Sequence, residues 1–479
     1  MGERGTDAGV RADSAGPPPD AAPETAPGAA PASASGTQSG TESGAVSGTP
    51  DAGAPGSAAA SGDSSSAGSL DAAPAARGVR TPAFRRLLAA WTVSLVGDGV
   101  RVVALPLFAA VTTRDPLAVS AVAVAEVLPW LLVALPAGAL VDRWRPRRVV
   151  LIAHAVRAVV TLGLAAAAFT GHAGVWALVC VAFVLTSAET FADSASQLLL
   201  VEIAGPADLD AANGRFIGAE TVGVDLAGPL AATLLFAWEP ATCFAVDGLS
   251  FVVAAALVAS LPDVVPDREP TGGGARLRAQ IVEGGRYLLG HRGLRALVGV
   301  VVAAAIAASA VNAVTALYAI EVLAIPEALV PTLMVAMAVG TIGAARAVPG
   351  LVARLGESRV MISALVVLAA GFVVLGLAPH PVTAWAGYLV VGAGVGVWNV
   401  LSATRRQRLT PGHMMGRVSS TYRVLTWGLM PLGAGLAGPL AKATSLGTVF
   451  VLAGGLVAVT ALVAGVPLAR TGADAPERA

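Results

Sequence analysis

The sequence predicts an all-α membrane protein with twelve transmembrane helices in two pseudo-symmetric six-helix bundles. Three observations carry that prediction. The chain is 55% hydrophobic and only 13% charged, with mean hydropathy +0.72, whereas soluble domains carry about a quarter charged residues. Apolar runs of spanning length follow one another from Thr81 onward. A phrase of sequence also recurs 210 residues later, in the other half of the chain.

The spans come first. A helix needs about 20 residues, rising 1.5 Å each, to cross a ~30 Å hydrocarbon core. Residues 360–404 contain no Asp, Glu, Lys or Arg. As one helix this stretch would run roughly 68 Å, so it reads as two crossings turning at Pro379-His380-Pro381. The same logic places spans near 85–111, 117–141, 148–170, 174–197, 211–236, 239–261, 294–320, 327–352, 358–378, 381–403, 417–440 and 445–468. Arginines set the orientation. One set of flanks holds Arg80, Arg85 and Arg86, then Arg143, Arg145, Arg147 and Arg148, and later Arg354, Arg359, Arg405, Arg406, Arg408 and Arg417. The opposite loops hold little more than Arg114 and Lys442. Both termini are therefore expected in the cytoplasm of a cell whose plasma (inner) membrane carries the protein, which requires an even number of crossings.

Around the spans, residues 1–79 are rich in Ala, Gly, Ser and Pro, with nine acids against three arginines. Such a segment cannot bury enough apolar surface to offset its ordering entropy, and reads as a disordered tail. The remaining divisions are a first bundle at 80–261, a cytoplasmic linker at 262–293, a second bundle at 294–470 and a short tail at 471–479. Within the linker, arginines interleave with Leu277, Ile281, Tyr287 and Leu288, as expected of an amphipathic helix lying along a membrane surface.

Composition also excludes functions. Lys442 is the only lysine and sits in Pro-Leu-Ala-Lys-Ala, so the chain has no P-loop to hold ATP. Cys180 and Cys243, with five scattered histidines, offer no disulfide framework or metal spacing. Gly392-x-Gly394-x-Gly396 lies inside an uncharged span with no strand before it, so it serves helix packing and not a dinucleotide.

The repeat places Gly223, Leu226, Ala227, Gly228, Pro229, Leu230 and Ala231 on Gly433, Leu436, Ala437, Gly438, Pro439, Leu440 and Ala441. Duplicated halves mark transporters that rock about a central cavity. The loop after span two reads Gly138-Ala-Leu-Val-Asp142-Arg143-Trp-Arg145-Pro-Arg147-Arg148, with a weaker echo at Gly350–Arg359 that has Ala353 where the aspartate would fall. Further phrases are Gly97-Asp98-Gly99, Asp247-Gly-Leu-Ser250-Phe251, Glu283-Gly-Gly-Arg286-Tyr287-Leu288 and Gly416-Arg417. Together these resemble the major facilitator superfamily, and within it the drug-exporter branch with macrolide-efflux proteins and the enterobactin exporter. The resemblance implies that the acid after span two meets the start of span eleven. Gly138, Asp142, Arg143 and Arg417 are then expected to form a cytoplasmic latch of the outward-open state.

Ionisable residues inside spans are costly and tend to face a cavity or a partner. Asp98 and Arg101 share a face of span one, and Glu126 lies near the middle of span two. Glu189 and Asp193 share a face of span four, with Arg157 of span three as a potential partner. Desolvation at such depths disfavours the charged form, so Asp98, Glu126, Glu189 and Asp193 are the candidate proton-coupling acids. Arg101, Asn312, Trp398 and Asn399 are the candidate substrate contacts. The resulting expectation is a monomeric secondary transporter in a lipid bilayer, not an enzyme. It would export small amphipathic molecules by alternating access, with no cofactor beyond a proton gradient, no ATP and no nucleic acid. A dedicated exporter of one metabolite, such as a siderophore or antibiotic, is the alternative. A membrane enzyme or sensor would want clustered nucleophile, histidine and acid, or a folded extramembrane domain, and the sequence offers neither.

Overall fold

The computed structural model describes residues 78–141, 143–262, 274–377 and 380–473. The tail up to residue 77, Asp142, the linker at 263–273, the turn at 378–379 and residues 474–479 lie outside the described residues, and so do the expectations made for them.

Every described element is helical. Span one is α1 (Pro82–Thr113). The Thr81 hydroxyl accepts the Phe84 N–H at its start, and Pro82 fills a first position that needs no donor. Span two is α2 (Pro116–Leu132), capped by the Asp115 carboxylate, followed by α3 (Ala134–Val141). The break has a chemical cause: Pro136 has no N–H to give the Leu132 carbonyl. Spans three and four are α4 (Pro146–Phe169) and α5 (Val175–Ala204). Span five joins α6 (Leu209–Glu220) through a π-helical turn at Thr221–Ala227 to α7 (Gly228–Trp238), and α8 (Pro240–Ala259) is span six. After the linker helix α9 (Gly274–Gly290) come α10 (Arg292–Glu321), α11 (Pro331–Leu355), α12 (Glu357–Leu377) and α13 (Pro381–Leu409). Span eleven is α14 (Met415–Gly428) plus α15 (Met430–Ala443), and α16 (Leu446–Ala473) ends the fold. Eleven of these segments are long and apolar enough to cross a bilayer. Alone, α2 has 17 residues and falls short, but α3 extends it, so the count is consistent with twelve crossings.

The first six spans pack largely among themselves, and so do the last six. The first copy of the repeated phrase packs α7 on α1, Gly228 against Gly99. The second copy is used differently. Its Gly433 packs on Ile306 of α10, but its Gly438 faces across to α2, where an added methyl would sit 2.6 Å from Ser120 Oγ and 2.7 Å from the Pro116 carbonyl. The halves meet through α2 against α15, α10 and α14, through α7 against α11 and the Glu327–Leu329 turn, and through α1 against α10. Most of these contacts lie at the end of the molecule that carries Pro116, Glu327 and the exposed Lys442. At the opposite, arginine-rich end, α3 packs on α2 and α5 within its own half.

Several arginines of that end act as helix caps. Arg86 Nη1 donates to the Ser260 carbonyl at 3.1 Å and Arg147 Nε to the Val258 carbonyl at 3.3 Å. Both place positive charge where the C-terminus of α8 carries unpaired carbonyls and a negative dipole end.

A charged cavity between the two halves

A cavity of about 710 Å³ lies between the halves, with walls from both. The first half contributes α1, α2, α4, α5 and the end of α6. The second contributes α10, the start of α11, and α14. At the end nearer Glu327 its walls are buried groups such as Thr315 and Val330. Toward the arginine-rich end its walls include exposed Gln197 and Arg423. The cavity is therefore sealed at one end and accessible from the other.

Its first-half wall carries a network of three carboxyls and two guanidinium groups. Arg101, 2% exposed, lies one turn after Asp98 on α1, and its Nη2 reaches Asp98 Oδ1 at 3.1 Å and Glu189 Oε2 at 3.0 Å. Its Nη1 stands 3.5 Å from Glu126 Oε1 on α2. Arg157, from α4, donates to the same Asp98 Oδ1 and lies 3.5 Å from Glu189 Oε2. The Arg157 guanidinium also rests over the Phe251 ring of α8, 4.0 Å from its centroid, and the His154 ring stacks beside the same phenyl with centroids 6.0 Å apart. Each side chain reaches this point because span registers bring mid-helix positions to one level. Removing such charges from water costs several kcal/mol per ion, and only mutual pairing offsets it.

The sequence-predicted acids thus come together. Asp98, Glu126 and Glu189 share the two arginines, and Asp193, four residues after Glu189, lines the same cavity. Of the predicted substrate contacts, Arg101 and Asn312 line the cavity. Trp398 and Asn399 do not, and their assignment is corrected. Packing of α13 along α11 and α12 buries Trp398 in the core, and the next position, Asn399, turns outward and is exposed. The aromatic lining comes instead from Trp91, Trp130 and Trp427. The last two meet across the halves with ring centroids 5.5 Å apart.

Among the described latch residues, Gly138, Arg143 and Arg417 do not meet one another in this conformation. Gly138 sits in α3 with open space beside it, Arg143 is exposed just beyond, and Asp142 lies outside the described residues. Arg417 pairs with Glu283 of the linker helix at 2.5 Å. In the sequence Glu283 stands out only as part of a phrase. Nothing in the spacing of residues 283 and 417 signals their contact.

Comparison with known proteins agrees with this architecture. The chain is 31% identical over 408 residues to the multidrug efflux pump Tap of Mycobacterium tuberculosis (strain ATCC 25618 / H37Rv), covering 80% of this chain and 93% of that protein. Among solved structures it resembles the nucleoside transporter NupG, with TM-score 0.65 and 15% identity over 81% of this chain and 99% of that one. It also resembles a bacterial homologue of the iron transporter ferroportin in an inward-facing state, with TM-score 0.61 and 16% identity over 81% and 98%. At those identities the two structures speak for the fold alone. The family model of the Major Facilitator Superfamily matches residues 87–434. Two six-span halves, a cavity between them and a match over most of the chain together make this protein a member of the major facilitator superfamily.

Proposed function

We propose that the protein exports small amphipathic cations from the cytoplasm in exchange for protons. The observation that carries this reading is the charge balance of the cavity wall. The acids that line it, Asp98, Glu126, Glu189, Asp193 and Glu220, outnumber its arginines, Arg101, Arg157 and Arg423, so the wall holds excess negative charge when all are ionised and loses it as protons bind. A site of that composition suits either a proton or a cationic substrate, and exchange follows when the two compete. Trp91, Trp130 and Trp427 supply aromatic faces for the apolar part of such a molecule. The name of the mycobacterial relative, a multidrug efflux pump, supports the outward direction.

The arginine-rich end is assigned to the cytoplasm by the positive-inside rule, which makes this conformation inward-facing. Asp142, Arg143 and Arg417 then belong to the latch of the opposite state. The test is uptake of a fluorescent cationic dye into inverted membrane vesicles. We expect accumulation when the lumen is acidified and its loss on collapse of the pH gradient. Uptake that needs ATP and survives the collapse of every ion gradient overturns the proposal.

A further inference from the structure

One buried acid stands outside the network just described. Asp247, on α8, is 0% exposed, and among the described residues neither of its carboxylate oxygens has a hydrogen-bond partner. It is walled in by α1. A methyl added to Gly97 would lie 2.6 Å from Asp247 Oδ1 and would collide with Ser250 Oγ. Ser250 does not donate to this carboxyl, because its one hydroxyl proton goes to the Asp247 main-chain carbonyl at 2.7 Å.

The groups around Asp247 are mixed in sign. Asp98 and Arg101 on α1, Arg157 on α4 and Glu189 on α5 are within electrostatic reach. His154 on α4 stacks near Phe251, Cys243 lies one turn away on α8, and the neighbouring α7 offers no titratable group. An ionised carboxylate in this place would be a buried charge without a direct partner, among the costliest arrangements in a protein interior. A neutral carboxylic acid leaves only ordinary polar groups unmet.

A second set of unmet groups lies close by. Arg157 Nε is buried and has no hydrogen-bond partner among the described residues. The Arg157 guanidinium rests on Phe251, four residues from Asp247 and so on the same face of α8. Arg157 is therefore held by Asp98 on one side and stands against the Asp247 face of α8 on the other.

We propose that Asp247 is a second exchangeable proton site, protonated in this conformation, which takes Arg157 as its counterion when its proton leaves and Asp98 becomes protonated. The step balances: one proton leaves the Asp247 carboxyl and one is gained by the Asp98 carboxylate, which lines the cavity, while the guanidinium passes from Asp98 to Asp247. Its place in transport rests on the proton-exchange reading above.

The test is infrared spectroscopy of the purified full-length protein in proteoliposomes, titrated with pH, for wild type, Asp247→Asn and Asp247→Ala. The alanine variant only removes volume, so it serves where the amide disturbs packing. Wild type is expected to show the carbonyl stretch of a carboxylic acid that lacks hydrogen bonds. The stretch should give way to carboxylate absorption as pH rises and be missing from both variants. Identical spectra for all three proteins at every pH overturn the inference. Asp98→Asn, which stands in for protonated Asp98, should weaken the free-acid band of Asp247 at the same pH because Arg157 is released to it, and a band that Asp98→Asn leaves unchanged overturns the exchange role. The band reports on resting protein, so its absence counts against Asp247 even where a pH gradient drives export. Its presence counts for Asp247 even where a gradient does not.

Discussion

Arg101 and Arg157 decide whether the cavity wall can exist at all. Each is almost completely buried, and between them they neutralise carboxyls from three different helices. Breaking a buried pair by removing one partner typically costs about 3–5 kcal/mol, because the other charge is left uncompensated. Arg157→Ala should therefore lower the thermal melting point of the purified protein clearly, and Asp98→Asn in the same background should restore part of the loss. Absence of any such recovery in the double variant would dissociate the two residues. Glu126 is different. It stands at ion-pair distance from Arg101, with Oε1 not hydrogen-bonded among the described residues and the side chain lining the cavity. Glu126→Gln should leave melting nearly unchanged but reduce proton-driven dye export at least several-fold, as measured in inverted vesicles. The four acids can be found from sequence because an ionisable group inside a span is expensive and needs a reason to be there. Trp398 and Asn399 are misplaced by sequence for a related reason. In a helix that is apolar all round, periodicity does not show which face meets a neighbour, and here α11 and α12 decide it.

At the level of elements, the linker helix is more than a tether. Glu283 pairs with Arg417, the Tyr287 hydroxyl donates to the Leu409 carbonyl at 3.2 Å, and Leu288 is buried with Leu294, Val298, Met414 and Val418. Between them Gly284 lies so close to α14 that an added methyl would approach the Arg417 carbonyl to 2.5 Å. The amphipathic pattern of α9 suggests a helix resting on lipid. Its described half instead packs on protein, because the small Gly284 lets the two backbones approach. The ion pair itself is half-exposed, and such pairs are worth about 0–1 kcal/mol, so Glu283→Gln should change stability little. Gly284→Val should do far more. It should free α9 from α14, and a disulfide engineered between positions 285 and 421, where a methyl on Gly285 would lie 3.7 Å from Thr421 Cγ2, should then form poorly although membrane insertion is unchanged. Efficient cross-linking in that variant would show that the close approach is dispensable. The repeated phrase teaches a similar lesson. Its existence is plain in the sequence, but only the packing shows that Gly228 works within one half while Gly438 works between halves.

For the molecule as a whole, the sealed end depends on that second use. With Gly438 against Ser120 and Pro116, α15 and α2 approach as closely as their backbones allow. Gly438→Val should hold the halves apart there and favour the conformation open at the opposite end from the one described. A cysteine placed at Asn312 should then react with a bulky, membrane-impermeant thiol reagent applied from the Lys442 side, having been protected in the parent protein. Unchanged protection would mean that the seal lies elsewhere. Twelve crossings, two halves and the arginine asymmetry are all legible in the amino-acid sequence, since each follows from hydrocarbon thickness, duplication and charge. The conformation is not legible there, because a transporter's sequence must be compatible with both of its states. Lys442 gives a practical route to watching those states exchange. As the only lysine, exposed at the last turn of α15 on the sealed end, it is the one side-chain primary amine in the protein. With the α-amino group blocked, an amine-reactive fluorophore would become a single-site reporter of the seal's opening, with no residue exchanged to make room for it.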